Sequence, residues 1–292
     1  MNKPNIQSLH ADLGARVCGI ELSDSMDDHS LNFIRQAIDD YSVLCFSGQD
    51  MSDEKQLAFT RLLGTPEAEH VRLGSTGEVS YFGTVGNIQD DGSKFDNISA
   101  NTRYQSGNQL WHSDSSFREV PSFVSILHAY EVPGEGGQTE FASMRAGYAR
   151  LSDEMREQIE PLHVVHDYVF SRSPVAPVNP NHAASLPPVM HPMVRVNPVN
   201  GLKNYYIGSH ARSIPGWSGI DSRQLLDTLV EHATASEHIL SLAFKPGDTV
   251  IWDNRCILHR GTGYDANRWR RRMRQTRVVG SDKGVIPKPL QE

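Results

Sequence analysis

Apolar positions recur along this chain at two different periods. Leu31, Ile34, Ala37, Ile38 and Tyr41 are spaced by three and four, the repeat of one helix face. Asp27, Asp28 and Ser30 supply a cap ahead of them, so the pattern predicts a helix over 27–42. Leu57, Phe59, Leu62 and Leu63 predict a second helix over 53–63, capped by Ser52 and stopped by Gly64 and Pro66. Leu225, Leu226, Leu229 and Val230 predict another over 221–234, and a helical stretch at 144–160 breaks near Leu151-Ser152. Elsewhere the apolar residues alternate or run in short blocks, which is the signature of strands. Such blocks fall at 9–23 (one or two short strands), 42–46, 122–131 and 138–142, the last two separated by a turn at 133–137. A strand-turn-strand unit, KPGDTVIWDNRCILH, covers 245–259, and a final strand is predicted over 268–279. Two segments follow neither period. Residues 75–110 are rich in Gly, Asn, Asp and Ser and read as short strands with a long surface loop. Residues 171–198 carry seven prolines and read as an irregular excursion.

Many short strands with helices at the margins predict a mainly β fold with peripheral helices, a jelly roll or double-stranded β-helix. We read 1–292 as one domain with loop insertions near 66–107 and 171–198. No G-x-G-x-x-G follows a predicted strand, which argues against a dinucleotide-binding sheet. A 38% hydrophobic content over 292 residues supplies a sizeable core. No run of eighteen apolar residues predicts a membrane span, and the N-terminus has no secretory pattern. A net charge of -7 argues against nucleic acid as a partner. Cys18, Cys45 and Cys256 form no disulfide framework or zinc pattern, which points to a reducing cytoplasm.

Thirteen histidines prompt a search for metal or acid–base chemistry. His112-Ser113-Asp114 would place a ring nitrogen and a carboxylate on one face of a strand. The dipeptide alone is weak evidence, because with 13 His and 20 Asp chance supplies about one His-x-Asp, and His10-Ala11-Asp12 is a second copy. The company of the His112 copy is more informative. Thr139 follows it by 27 residues, and His259 closes the strand-turn-strand unit. The segment 268–274, RWRRRMR, comes next. Two histidines and one carboxylate form a facial triad that leaves open positions on iron. Arg270, Arg272 and Arg274 alternate and would share a strand face, and a buried arginine requires an anion. Read as a nucleic-acid patch instead, the cluster conflicts with the net charge.

LWHSDSSF (110–117), GGQTEFASMRAGYARL (136–151), KNYYIGSHA (203–211) and WDNRCILHRG (252–261) resemble the TauD/TfdA family of Fe(II)- and 2-oxoglutarate-dependent dioxygenases. The 2,4-dichlorophenoxyacetate dioxygenase branch resembles the chain most. LGARVCGIEL (13–22) and SVLCFSGQ (42–49) also resemble the family, and the similarity is weakest at 66–107 and 171–198. The resemblance implies His112, Asp114 and His259 as iron ligands, and 2-oxoglutarate and O2 as co-substrates. It implies that Thr139 and Arg270, eleven after His259, hold 2-oxoglutarate, with Asn108 either steadying it or serving only a turn. It assigns Arg274, fifteen after His259, to the anion of the prime substrate, with spacing placing the two arginine roles within 268–274 only to within one position. His210, His70 and Arg72 are candidate substrate contacts, each with a structural or solvated-loop reading beside it. The implied activity is hydroxylation of a C–H bond of a small anionic substrate, such as an aryloxyalkanoate or an N-substituted amino acid, with release of succinate and CO2. The implied assembly is a dimer or tetramer. The alternative is a jelly roll that binds a metal or carboxylate without redox chemistry. A metal hydrolase is disfavoured, because the chain has no His-Glu-x-x-His and no second carboxylate set.

Overall fold

The computed structural model describes residues 4–23, 25–70, 77–89, 91–95 and 107–281. The first elements are β1 (Asn5–Ser8), β2 (Ala15–Cys18), α1 (Asp28–Tyr41), β3 (Val43–Phe46), α2 (Asp53–Leu63) and β4 (Gly83–Gly86). β5 (Ser122–Glu131), β6 (Thr139–Ser143), α3 (Met144–Ala149), α4 (Asp153–Ile159), β7 (His163–His166), α5 (Tyr168–Arg172) and α6 (Pro180–Ser185) follow. Next come β8 (Val189–Pro192), β9 (Val194–Val196), β10 (Lys203–Tyr205), β11 (Ala211–Ser213) and α7 (Gly219–Ala233). The chain then forms β12 (Ile239–Leu242), β13 (Thr249–Asp253), β14 (Ile257–Gly261) and β15 (Arg272–Val279).

Seven strands form a sheet in the order β1-β2-β3-β13-β5-β15-β4, and a three-stranded sheet β12-β6-β14 lies across the core from it. This is the predicted jelly roll. Strand alternation divides the side chains between two cores. From the large sheet Val43, Cys45, Leu127, Ala129, Val250, Trp252 and Met273 turn inward, where they meet Leu240, Phe141 and Ile257 of the smaller sheet. Their neighbours Leu44, Phe46, Ile126, Ile251 and Val278 face outward and pack on Ile34, Ile38, Phe59 and Leu63 of α1 and α2. A one-residue slip in any of these strands would exchange the two sets, so the register is strongly specified.

The predicted helices form where the caps are. Asp27 accepts from the Ser30 N–H ahead of α1. Ser52 does the same for α2 and Ser218 for α7. α1 ends at Ser42, a left-handed residue whose N–H returns to the Ile38 carbonyl. The helical stretch after residue 143 divides into α3 and α4, as the break at Leu151-Ser152 predicts. Two predictions need correction. Residues 268–271 are not strand, because the chain after β14 first makes an irregular loop and β15 begins only at Arg272. The excursion at 171–198 is more regular than its prolines suggest. It holds the end of α5, α6 with Pro180 in its first turn, and strands β8 and β9. With β7 and β11, β8 forms a three-stranded sheet in the order β11-β7-β8.

Candidate metal centre

His112 and His259 face each other across an isolated antiparallel bridge. The His112 N–H donates to the His259 carbonyl at 3.1 Å, and the reverse bond is 2.8 Å. Their rings lie 4.2 Å apart between centroids. Asp114 is not on a strand, as first predicted, but on the tight turn that follows His112. The turn passes through Ser115 at φ 55, a left-handed conformation, and is pinned by Ser115 Oγ donating to Glu67 at 2.6 Å. One ligand atom from each of His112, Asp114 and His259 falls within 4.8 Å of the other two. Asp114 Oδ1 is 3.9 Å from His112 Nε2, and Asp114 Oδ2 is 3.7 Å from His259 Nε2.

Surrounding groups orient this set. His112 Nδ1 is 2.7 Å from the Leu110 carbonyl, which can only accept. Nδ1 therefore carries the proton and Nε2 presents a lone pair. Asp114 Oδ2 accepts from Ser125 Oγ at 2.6 Å and Gln275 Nε2 at 2.8 Å, which fixes the orientation of the carboxylate against the two histidines. Asn254 links the assembly to the core. Its Nδ2 donates to Ser125 Oγ, while its Oδ1 accepts from the Asp114 N–H and from Trp252 Nε1. Burial and the neighbouring His259 push His112 down to about 3, and burial also lowers His259. Burial raises the Asp114 carboxyl, but the nearby His259, Arg277 and His112, with the Ser125 hydrogen bond, outweigh it and hold the group ionised. Two neutral imidazoles and one carboxylate are the deprotonated donor set a divalent transition metal requires.

Thr139 is the register partner of Gly261, two residues beyond His259 on β14, and shares a strand face with Phe141, which stacks on the His259 ring. Arg271 reaches this end of the site. Its Nη1 lies 4.0 Å from where a Cβ on Gly261 would stand. Arg271 is 6% exposed, and its Nε has no hydrogen-bond partner among the described residues. Burial lowers its affinity for its proton, the expected effect on a desolvated cation without a carboxylate beside it.

The structure corrects two arginines of the sequence reading. Arg270 is half-exposed on the outside and forks onto Glu131, with Nε at 2.5 Å from Oε2. Arg274 faces α2, donating to Asp53 Oδ2 at 2.7 Å and to Thr84 at 2.7 Å. Within β15 the inward positions are Met273, Gln275 and Arg277, and Arg271, just ahead of the strand, is buried at the same end of the site. Met273, the one apolar residue between Arg270 and Arg274, was the sequence signal for that parity. Asn108 is placed near the centre and accepts from Arg172 Nη2 at 3.2 Å. His210 is fully buried against His112, with ring centroids 6.3 Å apart, and Ser171 Oγ lies 2.6 Å from its Nδ1. His70 stacks on His182 and meets Phe117 and Tyr168 edge-on. Phe117 and Tyr168 in turn contact His210, so an aromatic wall runs from the triad to a cavity of about 380 Å³. His70, Phe117, Arg118 and Leu186 line that cavity. Arg72 lies outside the described residues. The decoy His10 stands apart from the triad, against the Glu237 carbonyl. Sequence reasoning missed Ser125, Asn254, Gln275, Arg172 and Tyr168, whose roles depend on contacts between distant segments.

Residues 5–277 match the model of the family described as taurine catabolism dioxygenase TauD, TfdA family. The chain is similar to the alpha-ketoglutarate-dependent 2,4-dichlorophenoxyacetate dioxygenase of Cupriavidus pinatubonensis, with 35% identity over 273 residues, 92% of this chain and 95% of that protein. It is 32% identical over 289 residues to the (S)-phenoxypropionate/alpha-ketoglutarate-dioxygenase of Sphingobium herbicidovorans, covering 94% and 95% of the two chains. Its fold superposes on the crystal structure of AAD-2 in complex with Mn(II) and N-oxalylglycine at a TM-score of 0.90 and 35% identity, over 97% of this chain and all of the other.

Proposed function

Because the chain belongs to the TauD/TfdA family of dioxygenases, we propose that His112, Asp114 and His259 hold its iron and that Arg271 and Thr139 hold its 2-oxoglutarate. The protein is an Fe(II)- and 2-oxoglutarate-dependent dioxygenase acting on a small molecule. We take the prime substrate to be a small carboxylate or related anion of the aryloxyalkanoate kind, hydroxylated at a C–H bond. The observation that carries this reading is the pairing of the triad with a buried arginine whose Nε has no partner among the described residues.

When bound, iron and 2-oxoglutarate supply O2 activation and C–H oxidation, with succinate and CO2 as co-products. The chain's own residues determine where that happens. His112 and His259, neutral at physiological pH, offer nitrogen lone pairs, and Ser125 and Gln275 fix the carboxylate that completes the set. Arg271 meets the far carboxylate of the co-substrate. Phe141, Trp252 and the aromatic wall keep water from the reacting end.

The test is succinate formation from 2-oxoglutarate by purified protein with and without Fe(II), with product mass read for aryloxyalkanoate, sulfate-ester and N-substituted amino acid candidates. Iron-independent or absent succinate would refute it. A cytoplasmic location and a homo-oligomeric assembly belong to the same proposal. Cys45 and Cys256 are buried free thiols suited to a reducing compartment, and light scattering on the eluting protein reads the assembly. Among the described residues no helix is long and apolar enough to cross a membrane.

A further inference from the structure

His112 and His259 are fixed by the bridge between them, but Asp114 lies on a turn, so its place depends on what holds that turn. The chain is anchored on both sides of the ligand. Before it, Ser113 Oγ donates to the Ile257 carbonyl of β14 at 2.6 Å. After it, Ser115 stands at φ 55, a left-handed conformation that is costly for a residue with a Cβ. Among the described residues only one other non-glycine residue has positive φ, Ser42 at the end of α1. Ser115 Oγ donates to Glu67 Oε1 at 2.6 Å. His191 Nε2, 3.0 Å from the carbonyls of Ser116 and Arg118, holds the rest of the turn.

Glu67 is 2% exposed and comes from the segment that follows α2. That segment is laid against the end of β15, where Pro66 bridges to Val278 and the Glu67 N–H donates to the Arg277 carbonyl at 2.8 Å. Both carboxylate oxygens are used. Oε1 accepts from Ser115 and from Arg277 Nε at 3.2 Å and lies 3.6 Å from Arg118 Nε, while Oε2 accepts from Ser122 Oγ at 2.5 Å. Arg118 ties the same two segments from the other end. Its N–H donates to the Ser115 carbonyl at 2.9 Å and its Nη2 to the Ala68 carbonyl at 3.1 Å. A glutamine would offer one acceptor oxygen where two are in use, and an aspartate would fall one methylene short. The residue type is therefore matched to its partners, and one of them adjoins the metal ligand. β15 thus supports Asp114 twice, directly through Gln275 and indirectly through Arg277, Glu67 and Ser115.

We propose that Glu67 is a positioning residue of the metal centre, which presets the Asp114 carboxylate by holding Ser115 in its left-handed conformation. Glu67 acts through the turn and not by contact with the metal. Released from it, Ser115 relaxes toward ordinary backbone, and metal binding then has to restore the turn at a cost in affinity. The proposal rests on the reading of His112, Asp114 and His259 as metal ligands.

The test is Mn(II) titration of the purified metal-free protein, followed by electron paramagnetic resonance, with the Tm of each variant measured alongside. E67Q and S115A should each weaken Mn(II) binding roughly 10- to 100-fold, the usual effect of removing an outer support of a metal ligand. S115G should bind roughly 5- to 30-fold more tightly than S115A, because glycine adopts the left-handed conformation without strain. That order is the reverse of the usual one for stability, in which glycine is the worse residue. The double variant E67Q/S115A should lose no more than the weaker-binding single variant, since both remove the same support. Q56L is the control for destabilisation alone: Gln56 of α2 is buried and donates to the Ile126 and Arg274 carbonyls, away from the turn, and its loss should leave Mn(II) affinity within about twofold. The proposal is overturned if S115A binds as the wild type does, if S115G is no better than S115A, if folded E67Q binds normally, if the two losses add, or if Q56L loses as much. Should E67Q not fold, the two Ser115 variants decide. Wild type that binds no Mn(II), or the same affinity after His112→Ala, refutes the reading of the triad itself and takes the proposal with it.

Discussion

Replacing Arg271 by Gln tests which arginine of the final strand serves the co-substrate. In the structure the guanidinium is buried, its Nε has no hydrogen-bond partner among the described residues, and burial already weakens its hold on its proton. A carboxylate entering beside it would gain a charge-assisted pair in a desolvated setting. Truncating one partner of such a pair costs ~2–5 kcal/mol, and at ~1.4 kcal/mol per tenfold this is roughly a 30- to 4,000-fold rise in KM for 2-oxoglutarate. Stability should respond in the opposite sense. With no carboxylate bound, the variant removes a desolvated cation, so its Tm without co-substrate should equal or exceed that of the wild type. The backbone contacts of Arg271 with Asn87 do not involve the side chain and survive the change. Arg270→Gln is the matched control, because its partner is the surface carboxylate of Glu131. The assay is initial succinate rate against 2-oxoglutarate concentration, with Tm measured alongside. An unchanged KM in Arg271→Gln, or a large rise in Arg270→Gln, would refute the assignment of the co-substrate to the buried Arg271.

Three further outcomes follow from the same geometry. His112→Ala, Asp114→Ala and His259→Ala should each abolish succinate formation with the far-UV spectrum retained, while His10→Ala, hydrogen-bonded to Glu237 away from the triad, should behave as wild type; near-normal turnover in any of the first three removes that residue from the ligand set. Ser125→Ala and Gln275→Leu each remove one donor to Asp114 Oδ2 and should weaken Fe(II) affinity ~10- to 100-fold in a competition titration, whereas unchanged affinity would show the carboxylate needs no such support. His166, fully buried, is pushed down to about 3 by burial, so its neutral ring is accommodated above the ordinary range near 6.5, and stability is lost as pH falls from there toward 3, at up to ~1.4 kcal/mol per pH unit. His166→Phe should flatten the fall in denaturant-unfolding free energy between pH 6 and 5 by about one proton, and an unchanged slope would contradict a neutral buried imidazole there.

The parts of the fold that read well from sequence share one property: an apolar periodicity tied to a cap. α1, α2 and α7 have both, and β3 and β13 are near-continuous apolar blocks because the sheet is covered on both faces, by α1 and α2 on one side and the jelly-roll core on the other. The triad was legible for a different reason. His112, Thr139 and His259 stand in the segments that carry the resemblance to the dioxygenase family, and a bridge, a register pair and a turn then bring them into one place. The turn geometry of Asp114 was not legible, since it depends on Glu67 reaching Ser115 from 48 residues earlier.

The final strand shows why counting from His259 failed by one position. Between β14 and β15 the chain runs through a loop in which the two-residue period of a strand does not hold, so distance along the sequence carries no parity across it. Parity has to be set inside β15, which opens Arg272-Met273-Arg274, and the long amphipathic arginines have no preference strong enough to choose a face. Met273 alone is unambiguous, because leaving it outside would place an apolar side chain among Asp53, Thr84 and Arg274, and turning it inward buries it with Trp252 and Phe141. Once Met273 is inward, Gln275 must follow and Arg272 and Arg274 cannot, whereas Arg270 and Arg271 lie ahead of β15 and are placed by Glu131 and by the Asn87 bonds to the Arg271 backbone. The same rule puts the neutral amide of Gln275, two residues beyond Met273, on the inward face, where it donates to Asp114 Oδ2 and helps to fix the carboxylate of the triad.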